Sequence, residues 1–325
     1  MKNMIETFSA LGARLLGFGD DDATRAVIDS ACRANGWADI RRAVRAIACD
    51  MLQREKLEAW LADYPALPVA EPRRVLVVMA GNIPLVGFFD LLCVLVSGHG
   101  CLVKPSAKDS VLMEHVVGLL REIDPSAPVR LYDGTSPVDA VIATGSDNAN
   151  RYFRAHYAGI PSLLRGSRQS VAVLSGRETP EQLAGLADDI WAYSGLGCRS
   201  VSLIFAPEGY EPALQIPPVN DKYINNYRQQ RALLEMQGRP FVDLGCAVAV
   251  EQCAFPAALS RIAYAHYATL DEVVAWLAGH DGELQCVVTG CLPHSRRAGF
   301  GCAQSPALTD YPDDRDVLAW LAALD

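Results

Sequence analysis

The feature that most restricts this chain is an alternation filling residues 75–175. Val75–Met79 is a continuous apolar run, the composition of a strand buried on both faces. A helix-length apolar segment follows from about Pro84 to Ser97. Gly98-His99-Gly100 then reads as a turn, and Cys101–Val103 as a short strand ending at Lys104. A helix from Ser110 to about Ile123, strands at Val129–Tyr132 and Ala140–Ala143, a helix from Ala149 to about Tyr157 and a strand at Val171–Leu174 complete the series. Strand and helix in strict alternation imply an α/β fold with a parallel, doubly wound sheet, whose ligands bind at the carboxyl ends of the strands.

On either side the pattern changes. Residues 1–70 are helical, with apolar positions three and four apart in Ala43-Val44-Ile47-Met51-Leu52 and Leu57-Trp60-Leu61, and a proline-rich stretch at 64–72 ends the region. Beyond 175 a second α/β unit is expected. It has a helix from Glu181 to Trp191 with Thr179 as N-cap and Pro180 as first helical residue, and a strand at Val201–Phe205. Residues 216–245 are less regular. Strand-like Cys246–Val250 and Leu284–Val288 flank helix-like Leu270–Leu277, and a loop, AQSPALTDYPDD, leads to a short helix at Val317–Leu324. The chain thus reads as two domains, 1–175 and 176–325.

Composition removes several function classes. A net charge of −9 disfavours nucleic acid and anionic membrane surfaces as partners. The apolar stretch Ile83–Val103 holds Pro84, Asp90, His99 and three glycines, so it is core and not a membrane span. Ten scattered cysteines form no CxxC pair and no histidine has finger spacing, which argues against a metal site. The N-terminus carries Glu6 where a signal peptide would be apolar, so a cytoplasmic location with reduced thiols is expected.

One cysteine stands apart. In SGLGCRSVSLIFAP, residues 194–207, Gly195 and Gly197 frame the approach to Cys198 and a strand follows. Glycines let the backbone pass close to a ligand, and a thiol of pKa roughly 8.5 already holds some thiolate near neutral pH. Cys198 is therefore a candidate nucleophile, or a small buried apolar residue. The other nine cysteines read as core or incidental surface.

Three further motifs sit at strand ends. In AGNIPLVGFFD, 80–90, Asn82 is placed to donate to a developing oxyanion, to cap a helix beginning at Pro84, or both. In LVKPSAKDS, 102–110, Lys104 and Ser106 suit the ribose or 2′-phosphate of a dinucleotide, or a solvated loop. In ATGSDNANRYF, 143–153, Gly145 precedes a helix start whose free N–H groups favour pyrophosphate, although the usual G-x-G-x-x-G is missing. His156 reads as structural. Arg165 and Arg168 read as a phosphate contact or a solvated face.

The order N-x-P, K-P-S, T-G-S and then G-x-C resembles the aldehyde dehydrogenase superfamily. More narrowly, AGNIPLVGFFD, ATGSDNANRYF, SRQSVAVLSG, YSGLGCRSVS and AQSPALTDYPDDRDV resemble its acyl-CoA reductase branch, related to the fatty-acid reductase of bacterial luminescence. The resemblance covers roughly residues 70–325. It implies a Rossmann-type cofactor domain and a second α/β catalytic domain carrying the nucleophile. Cys198 would be that nucleophile and Asn82 an oxyanion donor. Lys104 and Ser106 would face the adenosine half of the cofactor, with Thr144, Gly145 and Ser146 at its pyrophosphate. Hydrolytic members carry a water-activating glutamate where this chain has Leu164. Asn150 replaces the usual closing glycine of the T-G-S motif, and no E-x-F-G-P segment is found.

The implied reaction is reduction of an acyl thioester to an aldehyde through an acyl-cysteine, with NADPH as cofactor, NADH being the alternative. The donor would be acyl-CoA, or an acyl-carrier or acyl-protein thioester. An acyl-protein synthetase and a second copy of the chain are the partners implied. Competing readings are an acyl-phosphate reductase of the glutamyl-phosphate type, an oxidising dehydrogenase, which Leu164 disfavours, and a non-catalytic acyl-carrying or scaffold subunit.

Overall fold

The run at 75–79 forms β1 (Arg74–Val78), four of its five residues buried. In the computed structural model, residues 2–32 and 36–324 are described. They divide into two units, 1–167 together with 307–325, and 168–306.

In the first unit four helices precede the sheet: α1 (Lys2–Leu16), α2 (Asp22–Ala31), α3 (Trp37–Ala46), continued by a π-helical turn at Ile47–Met51, and α4 (Arg54–Ala62). Asp21 caps α2 by accepting from Thr24 N. After β1 come α5 (Phe88–Val96), β2 (Gly100–Lys104), α6 (Ser110–Ile123), β3 (Val129–Leu131), β4 (Ala140–Thr144), α7 (Asp147–His156) and β5 (Ser162–Arg165). The five strands are parallel in the order β3-β2-β1-β4-β5. One apolar cluster joins the N-terminal helices to α5 and α6 through Phe8, Leu11, Leu57, Phe88, Leu92 and Met113.

Two expectations fail here. The helix after β1 begins at Phe88 and not at Pro84, with Gly87 as its N-cap, because Leu85 takes a left-handed φ of 54° that interrupts any helix. Asn82 therefore does not cap α5. The strand expected at Val171–Leu174 exists as β6 (Gln169–Val173), but it belongs to the other sheet. Only Gly166-Ser167-Arg168 separate β5 from β6, whereas a parallel neighbour needs a crossover of a dozen residues or more.

The second unit continues with α8 (Pro180–Trp191), β7 (Val201–Pro207), α9 (Asp221–Met236), β8 (Val242–Asp243), β9 (Val248–Glu251), β10 (Arg261–Tyr267), α10 (Leu270–Gly279), β11 (Leu284–Thr289) and β12 (Arg297–Ala298). Its sheet order is β12-β11-β6-β7-β10-β9-β8, parallel except for the β8–β9 pair. α8 starts as expected, with a capping box between Thr179 and Gln182. α9 lies where the sequence looked irregular. Its buried positions, Tyr223, Tyr227, Gln230 and Leu234, do keep helical spacing, but tyrosines and a glutamine carry it.

The tail departs from the expected boundaries of 1–175 and 176–325. Leu308, Val317, Leu318 and Leu321 join the first unit's core. Tyr311 Oη accepts from Trp60 Nε1 at 2.8 Å, and Tyr64 Oη donates to Asp316 at 2.7 Å. Among the described residues no helix is long and apolar enough to cross a membrane.

Candidate active site

Strand register brings three of the four motifs to one edge. Val78 pairs with Lys104 on one flank of β1 and with Ala143 on the other, so the carboxyl ends of β1, β2 and β4 are adjacent. Strand order reverses between β1 and β4, where an open parallel sheet leaves a crevice for ligand. Asn82 is exposed on the loop after β1. Lys104 and Lys108 are exposed after β2 with Ser106 half-buried between them, and Thr144-Gly145-Ser146 leave β4 for α7.

Gly145 is small for a packing reason. A Cβ there would lie 2.8 Å from Ala149 Cβ and 3.2 Å from the Phe153 ring. Its N–H already donates to Arg165 O at 3.2 Å, so an anion at this turn would be held by Ser146 and the first N–H groups of α7. Ser146 is the N-cap, accepting from Ala149 N. Asn150 is buried against Gly166, where a Cβ would come 3.1 Å from its Nδ2.

The loop at 80–87 is tied to the loop after β2 at two points. A Cβ on Gly81 would collide with the Ser106 side chain, so this position requires glycine. Leu85 N donates to Asp109 Oδ2 at 2.9 Å. Asp109 is 2% exposed and its Oδ1 has no hydrogen-bond partner. Burial pushes its carboxyl up to about 7, against the Leu85 N–H, which lowers it.

Cys198 belongs to the second unit, on the turn between α8 and β7, and is exposed. Three consecutive residues before it are left-handed: Tyr193 (φ 53°), Ser194 (φ 51°) and Gly195 (φ 66°). For the two non-glycine residues this costs about 1–2 kcal/mol each. Neighbours hold the turn in place. Ser194 Oγ accepts from Asn220 N at 3.1 Å, Trp191 Nε1 donates to Tyr223 Oη at 3.1 Å, and Ser170 Oγ donates to Cys198 O at 2.9 Å. Burial pushes the thiols of Cys93, Cys101, Cys246 and Cys253 upward, away from the reactive thiolate.

Arg165 is buried and not on a solvated face, and Arg168 is partly buried. Arg165 Nη1 donates to both Asp90 carboxylate oxygens at 2.8 and 2.7 Å, with side-chain exposures of 4% and 7%. Arg168 Nη1 donates to the carbonyls of Asp281 and Leu284. Leu164 is half-buried in β5, packed against the apolar cluster that includes Leu76, Val141 and Tyr157. Among the described residues no group of three or more His, Cys, Asp or Glu is placed to hold a metal ion.

The family model described as acyl-CoA reductase (LuxC) matches residues 37–215, more than half of the chain. The chain belongs to the LuxC acyl-CoA reductase family. Similar curated proteins are the long-chain acyl-protein thioester reductase of Vibrio harveyi, 28% identical over 174 residues, and reductase 2 of Photobacterium leiognathi, 24% identical over 175 residues. These matches cover 47% and 48% of this chain but only 36% and 37% of those proteins. Solved structures set the fold. An oxidoreductase from Marinobacter aquaeolei superposes with a TM-score of 0.64 at 12% identity, covering 94% of this chain and 78% of that one. An aldehyde dehydrogenase of Mycobacterium tuberculosis complexed with NAD+ gives 0.61 at 16% identity, over 88% and 72%. The fold of this LuxC family member is thus that of the aldehyde dehydrogenases, as the motif order implied.

Sequence reading of the family motifs missed Asp109, Ser194 and Tyr223. Asp109 sits in K-P-S-A-K-D-S, whose charge and proline suggest a solvated loop. No local pattern signals the left-handed Ser194, because serine seldom adopts that conformation.

Proposed function

We propose that the chain reduces an acyl thioester to an aldehyde through an acyl group held on Cys198. The observation that carries this reading is the family match, because residues 37–215 span Asn82, Lys104, Ser106, Thr144, Gly145, Ser146 and Cys198. The curated relatives are named for long-chain acyl-protein thioesters. The donor here is accordingly acyl-CoA or an acyl-carrier or acyl-protein thioester, and an acyl-protein synthetase is the partner that would supply the last. A homo-oligomer and a cytoplasmic location are part of the same reading.

A nicotinamide dinucleotide fits the first unit's strand ends. The crevice at the β1–β4 reversal, the α7 N-terminus and the exposed Lys104 and Lys108 suit a phosphorylated ligand. Two lysines after β2 favour NADPH over NADH, since either can meet a 2′-phosphate. When bound, the cofactor supplies the hydride that takes the acyl carbon to the aldehyde level.

The chain's own residues do the rest. The Cys198 sulfur attacks the thioester carbonyl, and Asn82 with a backbone N–H near Cys198 holds the oxyanion, a donor of this kind being worth about 3 kcal/mol. The tetrahedral adduct collapses, the donor thiolate leaves and takes a proton, and the acyl group stays on Cys198. Leu164 offers no carboxylate to activate water, so attack of water on the acyl-enzyme is not assisted from this position.

Intact-mass spectrometry tests the reading. Wild-type protein incubated with a long-chain acyl-CoA should gain one acyl mass and lose it on addition of NADPH, with consumption of the reductant. Cys198→Ser should do neither. An adduct that reductant never discharges indicates an acyl carrier, and activity confined to acyl phosphates indicates the glutamyl-phosphate type of reductase.

A further inference from the structure

Asn82 stands on a loop that ordinary helix capping does not hold. α5 begins six residues later at Phe88, and no side chain caps it. Between them Leu85 takes a left-handed φ with its side chain buried. Such a conformation persists only where surroundings fix it. The Leu85 N–H is met by Asp109 Oδ2, twenty-four residues on and at the mouth of α6. Asp109 does not use that carboxylate to cap its own helix. The adjacent contact, Gly81 against Ser106, ties the same two loops. The loop after β2 is also anchored to the end of β1, since Met79 N donates to Lys104 O at 3.0 Å.

We infer that Asp109 is a positioning residue: its carboxyl clamps the Leu85 N–H and so sets the loop from which Asn82 projects, linking that loop to Lys104 and Ser106. The assignment of Asn82 rests on the reductase reading above; the clamp itself does not. Asp109 is buried, and its side chain accepts from backbone. It acts through the backbone of residues 82–85.

Two variants and two readouts test this. Asp109→Leu removes the acceptor and keeps the site apolar; Asp109→Asn keeps a carbonyl oxygen able to accept from Leu85. Amide hydrogen exchange is followed over residues 80–88 in the full chain, with thermal unfolding to confirm that each variant folds. Exchange at Leu85 should speed at least tenfold in Asp109→Leu and stay within threefold of wild type in Asp109→Asn. In the acyl-CoA assay Asp109→Leu should lower kcat at least tenfold with the KM for NADPH within about twofold, and Asp109→Asn should recover most of kcat. Unchanged exchange in Asp109→Leu overturns the inference, as does faster exchange with wild-type kcat. Should Asp109→Leu not fold, faster Leu85 exchange in Asp109→Asn with kcat untouched overturns it, and protection retained supports it. A wild-type chain that never acylates Cys198 defeats the reductase reading separately, and exchange at Leu85 then decides the clamp alone.

Discussion

Asp109 keeps its carboxyl in apolar surroundings, and the same burial makes it a pH-dependent load on the fold. Desolvation raises it to about 7, with the Leu85 N–H pulling the other way. An unfolded aspartate titrates near roughly 3.9. Between those values the folded chain holds a proton that the unfolded chain has released, so stability falls as pH rises from about 4 to 7, by at most roughly 1.4 kcal/mol per pH unit. Asp139, pushed down to about 2 chiefly by its bond to Arg74, behaves in the opposite sense but loses its contribution only below pH 4, outside this window. Urea unfolding of wild type and Asp109→Asn should therefore coincide near pH 4, and the variant should become the more stable by a few kcal/mol at pH 8. Parallel stability curves between pH 4 and 8 would contradict the buried carboxylate. The turn before Cys198 carries strain of another kind, in its backbone. It tolerates left-handed Tyr193 and Ser194 because Asn220 and Tyr223, at the start of α9, hold their neighbours.

At the scale of elements, α8 does more than fill a core. Its Gly185 packs on the backbone of Phe300 and Gly301, where a Cβ would come within 2.8 Å of Gly301 N. One turn on, the fully buried Asp189 accepts from Gly301 N at 2.6 Å and Ala303 N at 2.9 Å. Gln304, at the end of that segment, donates to Ser200 Oγ beside the Cys198 turn. Because both partners of Gly185 are backbone, Gly185→Ala should cost about 1–3 kcal/mol and expose residues 299–304 to proteolysis. A melting temperature and cleavage pattern equal to wild type would show that the segment yields freely. α8 was legible in the sequence because Thr179-Pro180 marks its start and apolar residues keep its period. α9 was not, since its inward face is tyrosine and glutamine. Residues 84–87 read as helix because Pro84, Leu85 and Val86 continue the apolar run, and only φ at Leu85 betrays the break. For the candidate site, residue types at strand ends could be read directly, while the clamp from Asp109 depends on a packing between loops that no local pattern records.

For the whole molecule, the first unit is not contiguous in sequence: it is completed by residues 307–325 after the second has been traversed. The tail supplies polar partners as well as apolar area. His99 is fully buried and accepts the Arg73 N–H at Nδ1, which leaves Nε2 to donate to Leu321 O at 3.0 Å. That arrangement needs a neutral imidazole, and burial lowers the His99 pKa accordingly. Without the tail, the His99 donor and the Trp60 indole N–H lose their acceptors, each an unmet buried group costing about 1–3 kcal/mol. Val317, Leu318 and Leu321 would each forfeit roughly 1.5–3 kcal/mol of burial as well. Together these losses match the roughly 5–15 kcal/mol that keeps a domain folded. A chain ending at residue 306 should therefore show hydrogen exchange collapsed across β1, β2 and α5 while β6, β7 and β10 stay protected. Leu318→Ala in the intact chain, a milder version, should cost about 2–5 kcal/mol and lower protection in the first unit alone. Equal loss of protection in both units would mean that they unfold as one. Protection of β1 surviving removal of the tail would mean that the first unit is complete without it.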